Sequence, residues 1–295
     1  MSPTQTQSEP KPPFPDRKLK QPGLEKDLRP KPRYEARQYR AAEKLKDKVA
    51  IVTGGDSGIG RAVAVLFARE GADVAITYLP VEKPDADETK KAVEQEGRRC
   101  LAIAGDLTNG DFCREVIDRT VAELGQLDIL VSNAAHQTSK EQPEDITDEE
   151  FDRTFKTNVY AYFRLVKAAL PHLNPGAAII ATGSETAFLG PEQLPDYAAT
   201  KGAIHTLTKS LSKQLISRGI RVNCIAPGPV WTPLNPADPG APPEKVAKFG
   251  QDTPQGRPAQ PEELAPAYVF LASDADSSYI TGEVLAIMGG GPAPG

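Results

Sequence analysis

From Leu45 onward the chain alternates short β-branched runs with helical stretches of roughly 12 to 20 residues, and this rhythm admits few folds. Seven runs read as strands: Val49 to Thr53, Asp73 to Tyr78, Cys100 to Gly105, Ile129 to Ser132, Ala178 to Thr182, Arg221 to Ala226 and Val284 to Met288. Between them lie amphipathic segments such as Ile59 to Glu70, where Ile59, Val63, Leu66 and Phe67 recur at helical spacing and Gly71 supplies the stop. Strands joined through helices pair in parallel, and right-handed crossovers place the helices on both faces. The expectation is an α/β fold with a doubly wound, seven-stranded parallel sheet over residues 45–295. Trp231 to Gly256 breaks the rhythm with a run of prolines and reads as a lid over a binding site.

Residues 1–44 obey no such period. Eight prolines fall in the first 32 residues, and apolar positions are too sparse to offset the entropy of ordering the segment alone. Up to Lys48 thirteen Lys and Arg stand against seven Asp and Glu, whereas beyond it 22 stand against 33. A basic, Pro-rich arm thus precedes an acidic body, and opposite charge favours docking of the arm on its own or a neighbouring subunit. A nucleic-acid surface would interleave aromatics with the basic residues, and the arm offers only Phe14, Tyr34 and Tyr39, so no nucleic-acid partner is expected.

Several classes drop out on composition. No apolar run reaches the roughly 18 residues of a membrane span, and prolines and charges occupy the place of a signal peptide's apolar stretch. Cys100, Cys113 and Cys224 form no CxxC and their odd number argues against a disulfide framework, which suits a reducing, cytoplasmic setting. His136, His172 and His205 are far apart and have no ligand-like neighbours, so no metal site is expected.

Chemistry enters where Val49 to Thr53 runs into TGGDSGIGR, Thr53 to Arg61, and on into a helix. Glycine allows a sharp turn and close approach of a pyrophosphate, while the helix start presents free N–H groups to it. Gly55 and Gly60 also have Walker A spacing, but Arg61 and Ala62 stand where its lysine and hydroxyl would be, which removes support for nucleotide hydrolysis. Gly183-Ser184 lacks the closing glycine of a hydrolase elbow, and Ser210 to Lys213 lacks the companion motifs of a penicillin-binding site. The acids Asp148, Glu149 and Glu150 at a helix start complement its dipole.

Four further motifs follow in order: Ser132-Asn133-Ala134-Ala135 after the fourth strand, Asn158 in a helix, Ser184 at the end of the fifth strand, and Tyr197-Ala-Ala-Thr-Lys201 thirteen residues later. With the glycine-rich loop, this set resembles the short-chain dehydrogenase/reductase family across essentially residues 45 to 290. The arm with PPFP and QPG, the YLPVE after the second strand and the APGPVWTPL segment resemble one subgroup: bacterial NAD(P)-dependent aldehyde reductases and general-stress-type oxidoreductases, akin to plant glucose/ribitol dehydrogenase homologues. The resemblance implies a Rossmann-type fold and a homotetramer in which the long helices starting near Asp148 and Tyr197 pack across a dimer interface, with the arm contacting a neighbour.

Tyr197 and Lys201 are one helical turn apart and share a face. A nearby ammonium favours phenolate and brings a phenol of pKa about 10 toward neutral pH. Tyr197 is then the expected acid/base, with Ser184 bonding the same substrate oxygen while hydride moves. The resemblance implies that Lys201 also holds the nicotinamide ribose and that Asn158 extends a proton relay through water. It likewise assigns Gly54, Ser57, Gly58, Ile59 and Gly60 to the pyrophosphate turn, Asp106 and Leu107 to the adenine, Asn133, Ala134 and Ala135 to the adenosine ribose side, and Pro227, Gly228, Val230 and Thr232 to the nicotinamide. Ala135 replaces the family's usual glycine, which implies modest repacking.

For the cofactor, the second strand ends at Tyr78 with no acid to bond a ribose 2′-hydroxyl, which admits NADP; Asp56 in the glycine loop opposes a 2′-phosphate. The balance favours NADP, with NAD open. The expected activity is NAD(P)(H)-dependent hydride transfer to a small carbonyl, an aldehyde first. A sugar or polyol dehydrogenase and a non-catalytic cofactor-sensing protein are the alternatives.

Overall fold

The computed structural model describes residues 9–291. Its strands are β1 (Val49–Thr53), β2 (Asp73–Tyr78), β3 (Cys100–Ala104), β4 (Ile129–Ser132), β5 (Ala178–Thr182), β6 (Arg221–Pro227) and β7 (Val284–Ile287). The helices are α1 (Gly58–Arg69), α2 (Lys83–Gln95), α3 (Gly110–Leu124), α4 (Asp148–Phe155), α5 (Ala161–Ala169), α6 (Thr186–Leu189), α7 (Pro195–Leu215), α8 (Pro243–Ala247), α9 (Pro261–Ala272) and α10 (Asp274–Ser277). All strands join one parallel sheet in the order β3-β2-β1-β4-β5-β6-β7. The doubly wound sheet is therefore as the sequence rhythm implies, with strand ends displaced by at most one residue.

Alternation along each strand builds two cores. Ala50 and Val52 of β1 pack on the face carrying α1 and α9, where Val63, Phe67, Leu264 and Tyr268 are buried. Val49 and Ile51 face the opposite layer with Val116, Tyr162, Leu165 and Leu211 of α3, α5 and α7. Burying each such aliphatic side chain contributes about 1.5–3 kcal/mol. The strand order reverses between β1 and β4, so the loops beyond their ends part and leave a crevice at the C-terminal edge.

The arm lies against its own body. Phe14 stacks on Trp231 with ring centroids 4.0 Å apart, and these two with Leu28 and Val246 form a third, small core. Leu19 N–H donates to the Pro236 carbonyl at 2.9 Å, and Trp231 Nε1 donates to the Pro30 carbonyl at 2.8 Å. Charge complementarity operates as expected where Arg33 meets Glu262 (2.9 Å) and Lys44 meets Asp276 (2.8 Å). Prolines that preclude a helix suit an extended strap whose apolar residues reach pockets on a preformed surface.

Candidate active site

The crevice is a cleft of about 520 Å³. Gly54, Asp56, Ser57, Gly58 and Ile59 line one part, Tyr78, Asp106 and Leu107 an adjoining part, Asn133, Ala134 and Ala135 its middle, and Ser184, Tyr197, Lys201, Pro227, Gly228, Val230 and Thr232 the rest. Gly60 and Asn158 do not line it. They act from behind: a Cβ at Gly60 would sit 2.0 Å from the Gly54 carbonyl oxygen, so only glycine lets the turn close on the helix.

The β1–α1 turn fits a pyrophosphate. Gly58 has φ +51, in the left-handed region, and begins α1, whose first amides have no intrahelical acceptor. The amides from Ile59 onward are the ones a phosphate would meet. Asp56 is buried, and one of its carboxylate oxygens has no partner among the described residues. Burial pushes its pKa up to about 6.

An acid stands just beyond β2 after all. Glu82, four residues past Tyr78, turns back so that its carboxylate accepts the Leu79 N–H at 2.8 Å and borders the cleft. Burial and the Asp56 charge push its pKa up to about 8. Reading only the last residue of β2 missed it, although the YLPVE string contained it.

Thr53 and Asn133 lock the middle of the site. The Thr53 hydroxyl accepts the N–H groups of Asn133 (2.9 Å) and Ala134 (3.1 Å). The Asn133 amide donates to the Thr53 carbonyl at 3.1 Å and accepts from the Thr182 hydroxyl at 3.2 Å, tying β1, β4 and β5 together. The side chain is thus committed to the scaffold, and its neighbour Ala134 presents the surface beside Gly54.

At the reacting end α7 presents Tyr197 and Lys201 from one face, both buried. Lys201 Nζ lies 5.2 Å from the centre of the Tyr197 ring and donates to the Thr182 carbonyl at 2.8 Å. Burial lowers the lysine to about 8 and raises the phenol above its ordinary value, an effect the Ser184 hydroxyl opposes. At Tyr197, then, burial sets the direction of the shift, opposite to the lowering expected from a nearby ammonium. Asn158 sits in a π-helical turn, Lys156–Tyr160, between α4 and α5. It accepts the His136 N–H at 2.8 Å and donates to the His136 carbonyl and the Thr200 hydroxyl, each at 3.0 Å. It therefore fixes the loop after β4, and such π turns cluster at functional sites.

His205 was legible only as a residue without metal-site neighbours. Its Nε2 accepts the Ser184 N–H at 3.4 Å while its ring packs on Phe188, and burial lowers its pKa to about 4, keeping it a neutral acceptor. Buried Asp238 of the proline-rich loop accepts from Ser139 N–H (2.8 Å), Ser139 Oγ (2.7 Å) and Gln137 (3.1 Å), anchoring that loop to the loop after β4. Among the described residues no group of His, Cys, Asp and Glu is placed to hold a metal ion, and no helix is long and apolar enough to cross a membrane.

A doubly wound sheet with a glycine-rich turn at its switch point and a Ser–Tyr–Lys group in the same crevice defines a dinucleotide-dependent class of fold and site. Comparison with known proteins narrows it. Residues 54–291 match the family model described as Enoyl-(Acyl carrier protein) reductase. General stress protein 39 of Bacillus subtilis (strain 168) is 56% identical over 92% of this chain and 93% of its own. NADPH-dependent aldehyde reductase 1, chloroplastic, of Arabidopsis thaliana is 45% identical over 92% and 95% respectively. A short chain dehydrogenase from Burkholderia cenocepacia J2315, crystallised in complex with NADP, superposes with a TM-score of 0.76 at 35% identity, covering 84% of this chain and 98% of that one. The chain belongs to the short-chain dehydrogenase/reductase family, and it is an oxidoreductase.

Proposed function

We propose that the protein reduces small aldehydes with NADPH or NADH. The reading rests on one observation above all: Ser184, Tyr197 and Lys201 line the same cleft as the Gly54–Gly58 turn. Similarity to the plant aldehyde reductase supports the substrate class. Bound, the cofactor supplies the hydride, which no side chain of the chain can.

The remaining steps belong to the chain's own residues. The amides beginning α1 would hold the pyrophosphate, and Pro227, Gly228, Val230 and Thr232, which line the same cleft, would border the nicotinamide. Ser184 donates a hydrogen bond to the carbonyl oxygen and stabilises charge developing there. Tyr197, kept neutral by burial, transfers its phenolic proton to that oxygen, which is the protonation state reduction demands. Lys201 carries positive charge beneath it and Asn158 holds the wall opposite. Asp56 and Glu82 oppose a 2′-phosphate when ionised; their raised pKa values reduce that opposition, consistent with NADP use beside NAD.

Replacing Tyr197 with Phe should lower turnover by about 10²- to 10⁴-fold, while fluorescence titration shows NADH and NADPH binding within a few-fold of wild type. Undiminished turnover in Tyr197→Phe sinks the assignment. A panel of aldehydes and polyols run in both directions separates aldehyde reduction from polyol oxidation, and nucleotide binding without turnover on any member favours a sensor. A cytoplasmic setting is supported by three buried, unpaired thiols. A homotetramer is supported by aromatic side chains left exposed along α4 and α5.

A further inference from the structure

The arm does more than cover apolar surface, because it inserts an acid behind the glycine-rich turn. Glu25 is buried, and its Oε2 accepts the Gly58 N–H at 2.6 Å, the first amide of α1. Its other oxygen meets Arg61 Nη1 at 2.6 Å. Arg61 is itself 1% exposed and donates to the Asp56 carbonyl through Nε (3.0 Å) and Nη2 (2.7 Å). The turn is therefore gripped at both ends, at the Asp56 carbonyl by Arg61 and at the Gly58 amide by Glu25. Asp85 of α2 seats the grip by accepting the N–H groups of Glu25 (2.7 Å) and Lys26 (3.1 Å). Glu88 at 3.3 Å and Asp85 at 3.8 Å add two further carboxylates to Arg61, and the Tyr34 ring lies 5.1 Å from its guanidinium.

This arrangement is laid beside the cleft, since Gln21, Pro22 and Gly23 of the arm border it. Gln21 donates to the Gln137 carbonyl at 3.1 Å, and a Cβ at Gly23 would meet Ala237 of the lid at 2.7 Å. We propose that Glu25 is a positioning residue for cofactor binding: delivered by the arm, its carboxylate fixes the Gly58 amide and the left-handed turn so that the following amides stand ready for the pyrophosphate. The inference rests on the oxidoreductase reading above. A carboxylate on an N–H at a helix start is a charge-assisted contact in the favourable direction of the helix dipole, and burial with Arg61 removes the competition of water. A residue acting this way alters nucleotide affinity and leaves the chemistry at Tyr197 intact.

The test uses the full-length protein with Glu25→Ala, Glu25→Gln and Glu25→Asp. NADH and NADPH are titrated by fluorescence, steady-state constants are measured with an aldehyde, and amide hydrogen exchange is followed over residues 54–60. In Glu25→Ala the cofactor Kd and KM are expected to rise about tenfold with kcat at saturation within threefold, and exchange over 54–60 to accelerate. Glu25→Gln keeps an acceptor oxygen and should recover most of the affinity. Glu25→Asp keeps the charge on Arg61 but withdraws from Gly58, so it should weaken nucleotide binding several-fold, and it decides the matter if Glu25→Ala does not fold. Unchanged Kd and exchange in a folded Glu25→Ala or Glu25→Asp overturns the proposal, as does a fall in kcat with cofactor KM unmoved. Failure of the wild type to bind either nucleotide would overturn the proposed aldehyde reduction alone; exchange over 54–60 then decides whether Glu25 holds the turn.

Discussion

At the scale of single residues, Lys201 shows how a site can be held at a cost to stability. Its ammonium is buried, with the Thr182 carbonyl as its hydrogen-bond partner among the described residues, and its pKa falls to about 8. Because the folded pKa is depressed, the folded protein releases this proton first, so stability rises as pH climbs from about 8 toward the unfolded value of 10.5. At pH 7 a shift of this size corresponds to about 3 kcal/mol of destabilisation. Lys201→Met should therefore abolish turnover yet raise the Tm of the cofactor-free protein at pH 7, by an amount that shrinks toward pH 10. A melting series that shows a lower Tm at pH 7, or no trend with pH, contradicts this. The residue pattern made Tyr197 and Lys201 legible because four-residue spacing on a helix dictates a shared face. It could not reveal that the phenol is pushed upward, since desolvation depends on everything that closes over α7. Asn158 was legible as a site residue through its family resemblance, yet its bonds to His136 and Thr200 follow from a π turn that an assumption of 3.6 residues per turn conceals.

At the scale of elements, strands were read to within a residue because parallel strands covered on both faces are short, mostly apolar runs separated by helical segments. The arm was the opposite case. Its composition announced an extended segment, but its seat depends on contacts made hundreds of positions away in sequence, such as Phe14 against Trp231 and Phe14 N–H on the Ala247 carbonyl at 2.8 Å. Net charge indicated attraction to an acidic body, whereas the deepest contact reverses the signs, an arm carboxylate on a buried body arginine. Truncating Phe14 removes a buried ring and a stacked pair, the latter contributing about 0.5–1.5 kcal/mol beyond area. In Phe14→Ala the segment around Arg17, Lys18 and Lys20, whose basic side chains are exposed, should be cut by trypsin at least about tenfold faster, as a 1.4 kcal/mol loss of docking implies. Equal cleavage rates in wild type and variant would mean that the ring contributes nothing to holding the strap.

At the scale of the whole molecule, the two sheet faces are covered but one helical surface is not. Phe151 of α4 is 45% exposed and stacks on Phe155, while Tyr160 and Phe163 are 46% and 48% exposed farther along the same continuous helical stretch. Three aromatic rings exposed along one helical stretch give the chain reason to cover this surface with a second copy of itself, since contiguous exposed apolar patches mark interaction sites and closed symmetric assembly is the common solution. The arm, by contrast, meets its own body through Glu25 on Arg61 and Phe14 on Trp231. Removing residues 1–44 is also no clean test of assembly, because it strips Arg61 of both the Glu25 carboxylate and the Tyr34 ring that cover it beside the glycine-rich turn. Phe151→Asp with Phe163→Asp isolates the surface instead. Light scattering should then give a smaller particle than wild type, with circular dichroism unchanged and Glu25 still protecting the glycine-rich turn from amide exchange. If the doubly substituted protein keeps the wild-type mass, assembly runs through another surface and the exposed aromatics on α4 and α5 need a different partner.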